Sequence, residues 1–117
     1  MPLDLNVTWN FLVKAARSKQ LVTYGSIAQA NNVPWQNARR PLNALLWQIN
    51  DQSIDIKNAM LGTLVVNRNQ EISDFARASI IRHATERGLF TSGGQGAEKA
   101  FILEQREKCF AICWSDR

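Results

Sequence analysis

Gln36, Arg40, Asn43 and Trp47 recur at intervals of four, three and four residues. On an α-helix such positions share one face. Together they bring a guanidinium, two amides and an indole to that face, and no acid. A guanidinium grips guanine edges or phosphates, carboxamides pair with adenine edges, and an indole stacks on a base. A solvated helix face ordinarily mixes Glu with Lys. The chemistry these residue types share is therefore recognition of nucleic acid. The competing reading is plainer: Trp47 packs against the following segment and the other three are surface. With Leu42 at the centre of the buried face, a step of about 100° per residue points Arg40 about 160° away from it. Arg39 lies only about 60° away. Arg40 is thus the outward reader, and Arg39 can reach phosphate from the flank.

Catalysis finds less to use. His83 is the only histidine. It falls beside Ala76 and Ile80 at the edge of an apolar helix face, which predicts a partly packed structural imidazole. A general base in a small basic nuclease is the alternative. Asp51, Asp55, Glu71 and Asp74 are spread over separate segments with no spacing that joins them, so no metal or cofactor is expected. Cys109 and Cys113 form one CxxxC without a second pair, a weak zinc signal. On a strand they share a face but lie too far apart to bond each other. Both are read as core thiols. TSGGQG at 91–96 lacks the GK[ST] ending of a phosphate loop and reads as surface.

These residues need elements to position them. Leu5, Trp9, Leu12, Val13 and Ala16 form an apolar stripe that predicts a first helix over Leu5–Arg17. Leu21–Tyr24 is extended, and Gly25-Ser26 opens a short helix through Ala30. Asn31-Asn32 closes it, because Asn tolerates the left-handed conformation. Tyr24 is expected to close the small core with its hydroxyl at the surface. Pro34 opens the next segment. Proline deep in a helix costs about 3 kcal/mol, so the third helix is expected to begin with Asn37 as its N-cap, leaving Pro41 in the first turn. It reaches Asn50 and buries Ala38, Leu42, Leu45, Leu46 and Ile49. Asp51–Asn58 is polar and irregular. Met60–Asn67 reads as a strand, followed by a turn at Arg68-Asn69-Gln70. Ser73 caps a helix over Asp74–Arg87 that Gly88 stops. Ala97–Glu107 is helical, and Lys108–Trp114 is a last strand pairing with Met60–Asn67. The predicted class is α+β: a single small domain over residues 1–117, helix-turn-helix or winged-helix-like, with a small sheet.

Length and charge agree with this reading. A chain of 117 residues, 45% apolar and 21% charged, suits one globular domain. No apolar run approaches the roughly 20 residues of a membrane span. Nothing at the N-terminus reads as a secretory signal, so a cytoplasmic protein with no membrane partner is expected. Residues 1–50 hold Lys14, Arg17, Lys19, Arg39 and Arg40 against Asp4 alone, whereas residues 51–117 hold nine basic and nine acidic side chains. All the excess positive charge sits in the first half. A polyanion partner is expected there, DNA before RNA, with Lys14, Arg17 and Lys19 as further phosphate contacts.

VTYGSIA at Val22–Ala28 resembles the VTYGxIA of O-6-alkylguanine-DNA alkyltransferases and alkyltransferase-like proteins. Asn37-Ala38-Arg39 and Ala44-Leu45 are similar to that family's ARAVGxAL segment. Gly93-Gly94-x-Gly-x-x-Lys99 and Leu103-Glu104 are fainter counterparts of its GGxxxK…LLxxE ending. The resemblance, centred on residues 22–46, implies a winged helix-turn-helix that binds DNA. It implies that Tyr24 assists by rotating a phosphate, that Arg39 enters the duplex as a base flips out, and that Ser26 belongs to the contacting segment. The family's PCHR motif is replaced here by Leu61-Gly62-Thr63-Leu64-Val65-Val66, without Cys, His or Arg, and the helix Asp74–Arg87 has no counterpart. The expected function is therefore binding without alkyl transfer, and no catalytic residue is assigned. A protein partner is the main alternative, as for a small inhibitor or immunity-type protein of a mobile element. Four tryptophans and an uncharged aromatic face suit such an interface.

Overall fold

The computed structural model describes residues 3–91, 93 and 96–117. Asp4 begins the first helix, α1 (Leu5–Arg17), by accepting the Val7 N–H on its side chain. Trp9, Leu12, Val13 and Ala16 form the buried stripe, as the sequence predicts. Strand β1 is only Val22–Thr23, and α2 spans Tyr24–Ala30. Thr23 and Ser26 cap each other reciprocally: Ser26 N–H donates to Thr23 Oγ1 and Thr23 N–H donates to Ser26 Oγ, both at 3.1 Å. This box starts α2 at Tyr24, one residue before the expected Gly25. Asn32, with φ of 58°, turns the chain out of the helix.

The third helix, α3, departs most from expectation. It runs from Trp35 to Lys57 with Pro34 as N-cap, so Asn37 is not the cap and Pro41 lies inside the helix. Pro41 removes one donor to the Asn37 carbonyl, but both residues are exposed, so water can satisfy that carbonyl. Beyond Asn50 the helix continues through residues expected to be irregular. Asn50 and Ser53 are buried there: Asn50 Oδ1 accepts the Gly62 N–H at 2.7 Å and Ser53 Oγ accepts the Leu61 N–H at 3.2 Å. The inner face of the helix is polar at these two positions because it binds backbone.

Those bonds also undo the expected strand at Met60–Asn67. Leu61–Leu64 forms a 3₁₀ turn, and only Val65–Val66 is a strand, β2. Gln105 Oε1 accepts the Met60 N–H and Arg106 Nε donates to Thr63 O. Side chains from two helices thus take groups that a sheet ladder would use. A Cβ on Gly62 would lie 2.7 Å from the Asn50 amide, which explains a glycine there. β2 pairs in parallel with β1, Val22 opposite Val65 and Thr23 opposite Val66, and not with the C-terminal segment.

Ser73 caps α4 (Asp74–Glu86), and Gly88, at φ 74°, follows its end. The next helix, α5 (Ala97–Ala111), continues through the region expected to be the last strand. Cys109 therefore faces the core from a helix, whereas Cys113, beyond its end, is exposed and not a core thiol. Of the expected 91–96 loop, Ser92, Gly94 and Gln95 lie outside the described residues.

One core gathers Trp9, Leu12, Ile27, Leu42, Ile49, Leu61 and Leu64 around the 3₁₀ turn. Each side chain of this size contributes roughly 1.5–3 kcal/mol by leaving water. A second, smaller core joins Ile54, Met60, Ile80, Phe101 and Ile102 under α4 and α5. The C-terminal segment clasps α1: Trp9 Nε1 donates to Ser115 O, and Trp114 meets Trp9 edge to face at 5.8 Å. The described residues thus form a small α+β arrangement of five α-helices and a two-stranded parallel sheet. No helix among them is long and apolar enough to cross a membrane.

Candidate functional site

The start of α3 presents an exposed cationic surface. Gln36, Arg39, Arg40 and Asn43 are all exposed, and with Asn37 and Pro41 they line a groove of about 600 Å³. Ala38, fully buried, and Leu42 anchor the opposite side of the helix. No carboxylate lines the groove. Across the first turn lies a second cleft of about 620 Å³, lined by Thr23, Tyr24, Gly25, Trp35, Asn67, Arg68 and Asn69. It too has no acid. Trp35 and Gln36 are consecutive, so the two concavities flank one helix end.

The disposition of the arginines is uneven. The chain has nine. Arg17 donates to Trp114 O and pairs with Asp116. Arg77 pairs with Asp74 and Glu98, and Arg87 with Asp51 and Asp55. Arg82 lies near Glu86 and over the Trp47 ring, Arg106 bonds Thr63 O, and Arg117 covers Trp9. Among the described residues, Arg39, Arg40 and Arg68 have no hydrogen-bond or ion-pair partner. All three line the two concavities.

The structure divides the expected recognition face. Trp47 is not an open reader: α4 lies against it, and its indole stacks on His83 with centroids 3.8 Å apart and planes 1° from parallel. His83 is 2% exposed, more deeply packed than expected. Its Nε2 lies 2.6 Å from Asp51 Oδ1. Donation from His83, and then from Arg87, holds the Asp51 carboxyl below its ordinary value of 3.8, against the opposing effect of burial. The ionised carboxylate accepts, so Nε2 carries the proton. His83 Nδ1 is buried without a partner among the described residues. The imidazole packs between α3 and α4, stacked on Trp47 and bonded to Asp51.

The remaining expected residues fall into different settings. Tyr24 is half-buried at the first position of α2, its phenol pKa raised by burial. Its ring lies 6.4 Å from Trp35, tilted by 45°. Ser26 is committed to the capping box, with its hydroxyl donating to Thr23 O at 2.7 Å. Lys14 and Lys19 are exposed on and just after α1 but line neither concavity, and Arg17 is held by the C-terminal segment. Trp35 and Arg68 are the additions that sequence reasoning misses. Position 35 directly follows a helix-opening proline, and Arg68 stands in the recognised Arg-Asn-Gln turn. Only the parallel pairing of β1 with β2 brings that turn beside Tyr24.

Between Tyr24, Asn43, Leu46, Trp47, Asn50, Gly62 and His83 remains a cavity of about 40 Å³. A cavity of this size holds a few ordered waters. Burial pushes the Cys109 thiol up to about 12, so it is protonated and inert at neutral pH. No cluster of three or more His, Cys, Asp or Glu among the described residues is placed to hold a metal ion. No protein-family model, curated protein or solved structure matches the chain.

Proposed function

We propose that this chain is a non-catalytic nucleic-acid-binding domain, for DNA before RNA, that lays the first half of α3 in a duplex groove. The observation that carries the reading is the set of unpartnered arginines. Elsewhere arginines are engaged by carboxylates, carbonyls or rings, whereas among the described residues Arg39, Arg40 and Arg68 have no hydrogen-bond or ion-pair partner, and no carboxylate lines the concavities they border. A surface of this kind favours a polyanion. The major groove of B-DNA, about 12 Å wide, admits one α-helix. Arg40 and Asn43, with Gln36 a turn earlier, are the candidates for base edges, and Arg39 for a duplex phosphate.

The order of elements supports the same reading. α2, the turn at 31–34 and α3 follow the order of a helix-turn-helix, and β2 with the turn after it takes the place of a short wing. The VTYGSIA resemblance belongs with that arrangement. Its implied base extrusion is not part of this reading, because the residues that replace the family's PCHR motif, Leu61–Val66, carry no Cys, His or Arg. Alkyl transfer is not part of this proposal.

Titration of a labelled DNA duplex at low salt tests the reading. Arg40→Ala is expected to weaken binding by roughly 1–3 kcal/mol and to flatten the salt dependence by about one unit of slope. Arg39→Ala should do less. Absence of binding to any duplex at micromolar protein rejects the proposal. A larger loss for Arg39→Ala, together with preference for mismatched duplexes, replaces groove reading by base extrusion.

A further inference from the structure

The cleft beside the first turn of α3 holds a feature that duplex binding does not use. Trp35 is 44% exposed, although an indole gains more than any other side chain from burial of its large apolar surface. It stands where the helix begins, with the half-buried Tyr24 ring tilted behind it at 6.4 Å. Facing the same space is the turn after β2. Asn67 fixes that turn: its side chain accepts the Asn69 and Glu71 N–H groups at 2.9 and 3.1 Å. Arg68, without a hydrogen-bond or ion-pair partner among the described residues, lines the same cleft as the exposed Trp35 ring. The cleft measures about 620 Å³ and contains no carboxylate. That volume falls in the ordinary range of about 300–1,000 Å³ for small-ligand sites.

We infer that this cleft takes one unpaired nucleotide, its base stacked on Trp35 and its phosphate on Arg68, so that the domain prefers DNA in which a single strand leaves the duplex held by α3. The inference rests on the duplex-binding reading and adds a substrate class to it. The faces of paired bases are covered by their neighbours in the stack. An indole can therefore reach a base face only at a duplex end or on an unpaired strand. The cation and the acid-free lining favour an anionic ligand over a neutral or basic one, and the exposed indole favours one that carries a flat base. Gln36, adjacent to Trp35, lines the groove assigned to the duplex. A strand that parts from the duplex there passes directly into the cleft.

The test compares a labelled blunt DNA duplex with the same duplex carrying a short oligothymidine tail, by fluorescence anisotropy across a salt series. The tail is expected to tighten binding by roughly tenfold or more, the effect of stacking one base. Trp35→Ala should abolish that advantage while leaving blunt-duplex affinity within about twofold, and Trp35→Phe should retain most of it. Arg68→Ala should lower the tailed-duplex affinity and its salt slope by about one unit. Thermal melting of each variant separates loss of binding from loss of fold. Equal wild-type affinity for blunt and tailed duplexes, or an equal loss on both in Trp35→Ala, overturns the inference and leaves the duplex reading standing. Failure to bind either duplex overturns both.

Discussion

Residues 35–43 and 47–55 belong to the same helix and meet opposite surroundings. On the first stretch, Gln36, Arg39, Arg40 and Asn43 face open space, with no acid near them. Along the second, α4 lies against the helix. Trp47 stacks on His83, Asp51 accepts from His83 and Arg87, and Asp55 holds the other arm of Arg87. One end of α3 is thus a bare cationic surface and the other a packed seam of stacked rings and ion pairs. The difference teaches that periodicity names a stripe, while tertiary cover decides how much of it is free. Asn43 and Trp47 are one helical turn apart, and the edge of α4 falls between them.

The strongest way to break this comparison is to cut into the covered half. Trp47→Ala removes a stacked indole and leaves a void between α3 and α4. A loss of about 3–5 kcal/mol in chemical denaturation is expected, as for other large aromatic truncations. Binding per folded molecule should be unchanged. Unaltered stability would show that the seam does not hold α4, and a selective loss of DNA affinity would return Trp47 to the reading face.

The converse experiment strikes the bare half. Arg40→Ala should change the stability by no more than about 0.5 kcal/mol, because its exposed guanidinium has no hydrogen-bond or ion-pair partner among the described residues. Its effect belongs to binding, at the roughly 1–3 kcal/mol expected for a base contact. A destabilised Arg40→Ala protein would mean that this surface is structural.

How far the sequence displays this division follows from the forces at each place. α1, α2 and α4 are legible because local signals mark them: an apolar stripe in α1, Asn31-Asn32 after α2, and Ser73 and Gly88 at the two ends of α4. The free Arg40 face is legible from the Leu42 stripe. The extent of α3 is hidden because Asn50 and Ser53 read as surface but bind the buried 3₁₀ turn. The strand at 60–67 is misleading because its β-branched residues suggest a ladder, whereas Asn50, Ser53, Gln105 and Arg106 take its polar groups. The Trp35–Arg68 cleft is not legible at all, since it depends on Val22 pairing with Val65 across the chain.

A smaller effect sharpens the assignment of Ser26. Its position beside Tyr24 suggests a phosphate contact, but its hydroxyl closes the box with Thr23. Ser26→Ala should cost about 1 kcal/mol of stability, the usual loss for a capping side chain. The salt slope of DNA binding should not change, because no cation is removed. A flatter slope with full stability would move Ser26 from the cap to the interface.

The smallest effect is a pH dependence that separates the two ends of α3. Asp51 has its carboxyl held below 3.8 by His83 and Arg87, so the folded state keeps it ionised more readily than the unfolded chain does. Its contribution is therefore fully present above about pH 4 and is lost as pH falls through the depressed folded value. The Asp51 side chain is 42% exposed, and water screens its ion pair with Arg87, so the change is modest. Denaturation midpoints measured from pH 5 downward should fall more steeply for wild type than for Asp51→Asn, which has no charge to lose there. The groove around Arg40 contains no carboxylate, and arginines stay charged throughout this range. Duplex affinity per folded molecule should consequently hold constant from pH 7 to pH 5, above the onset of acid loss and below which DNA bases begin to protonate. Identical acid limbs for the two proteins would remove Asp51 from the seam. Affinity that changes over the neutral range would place a titrating group at the end of α3 where the described residues contain none.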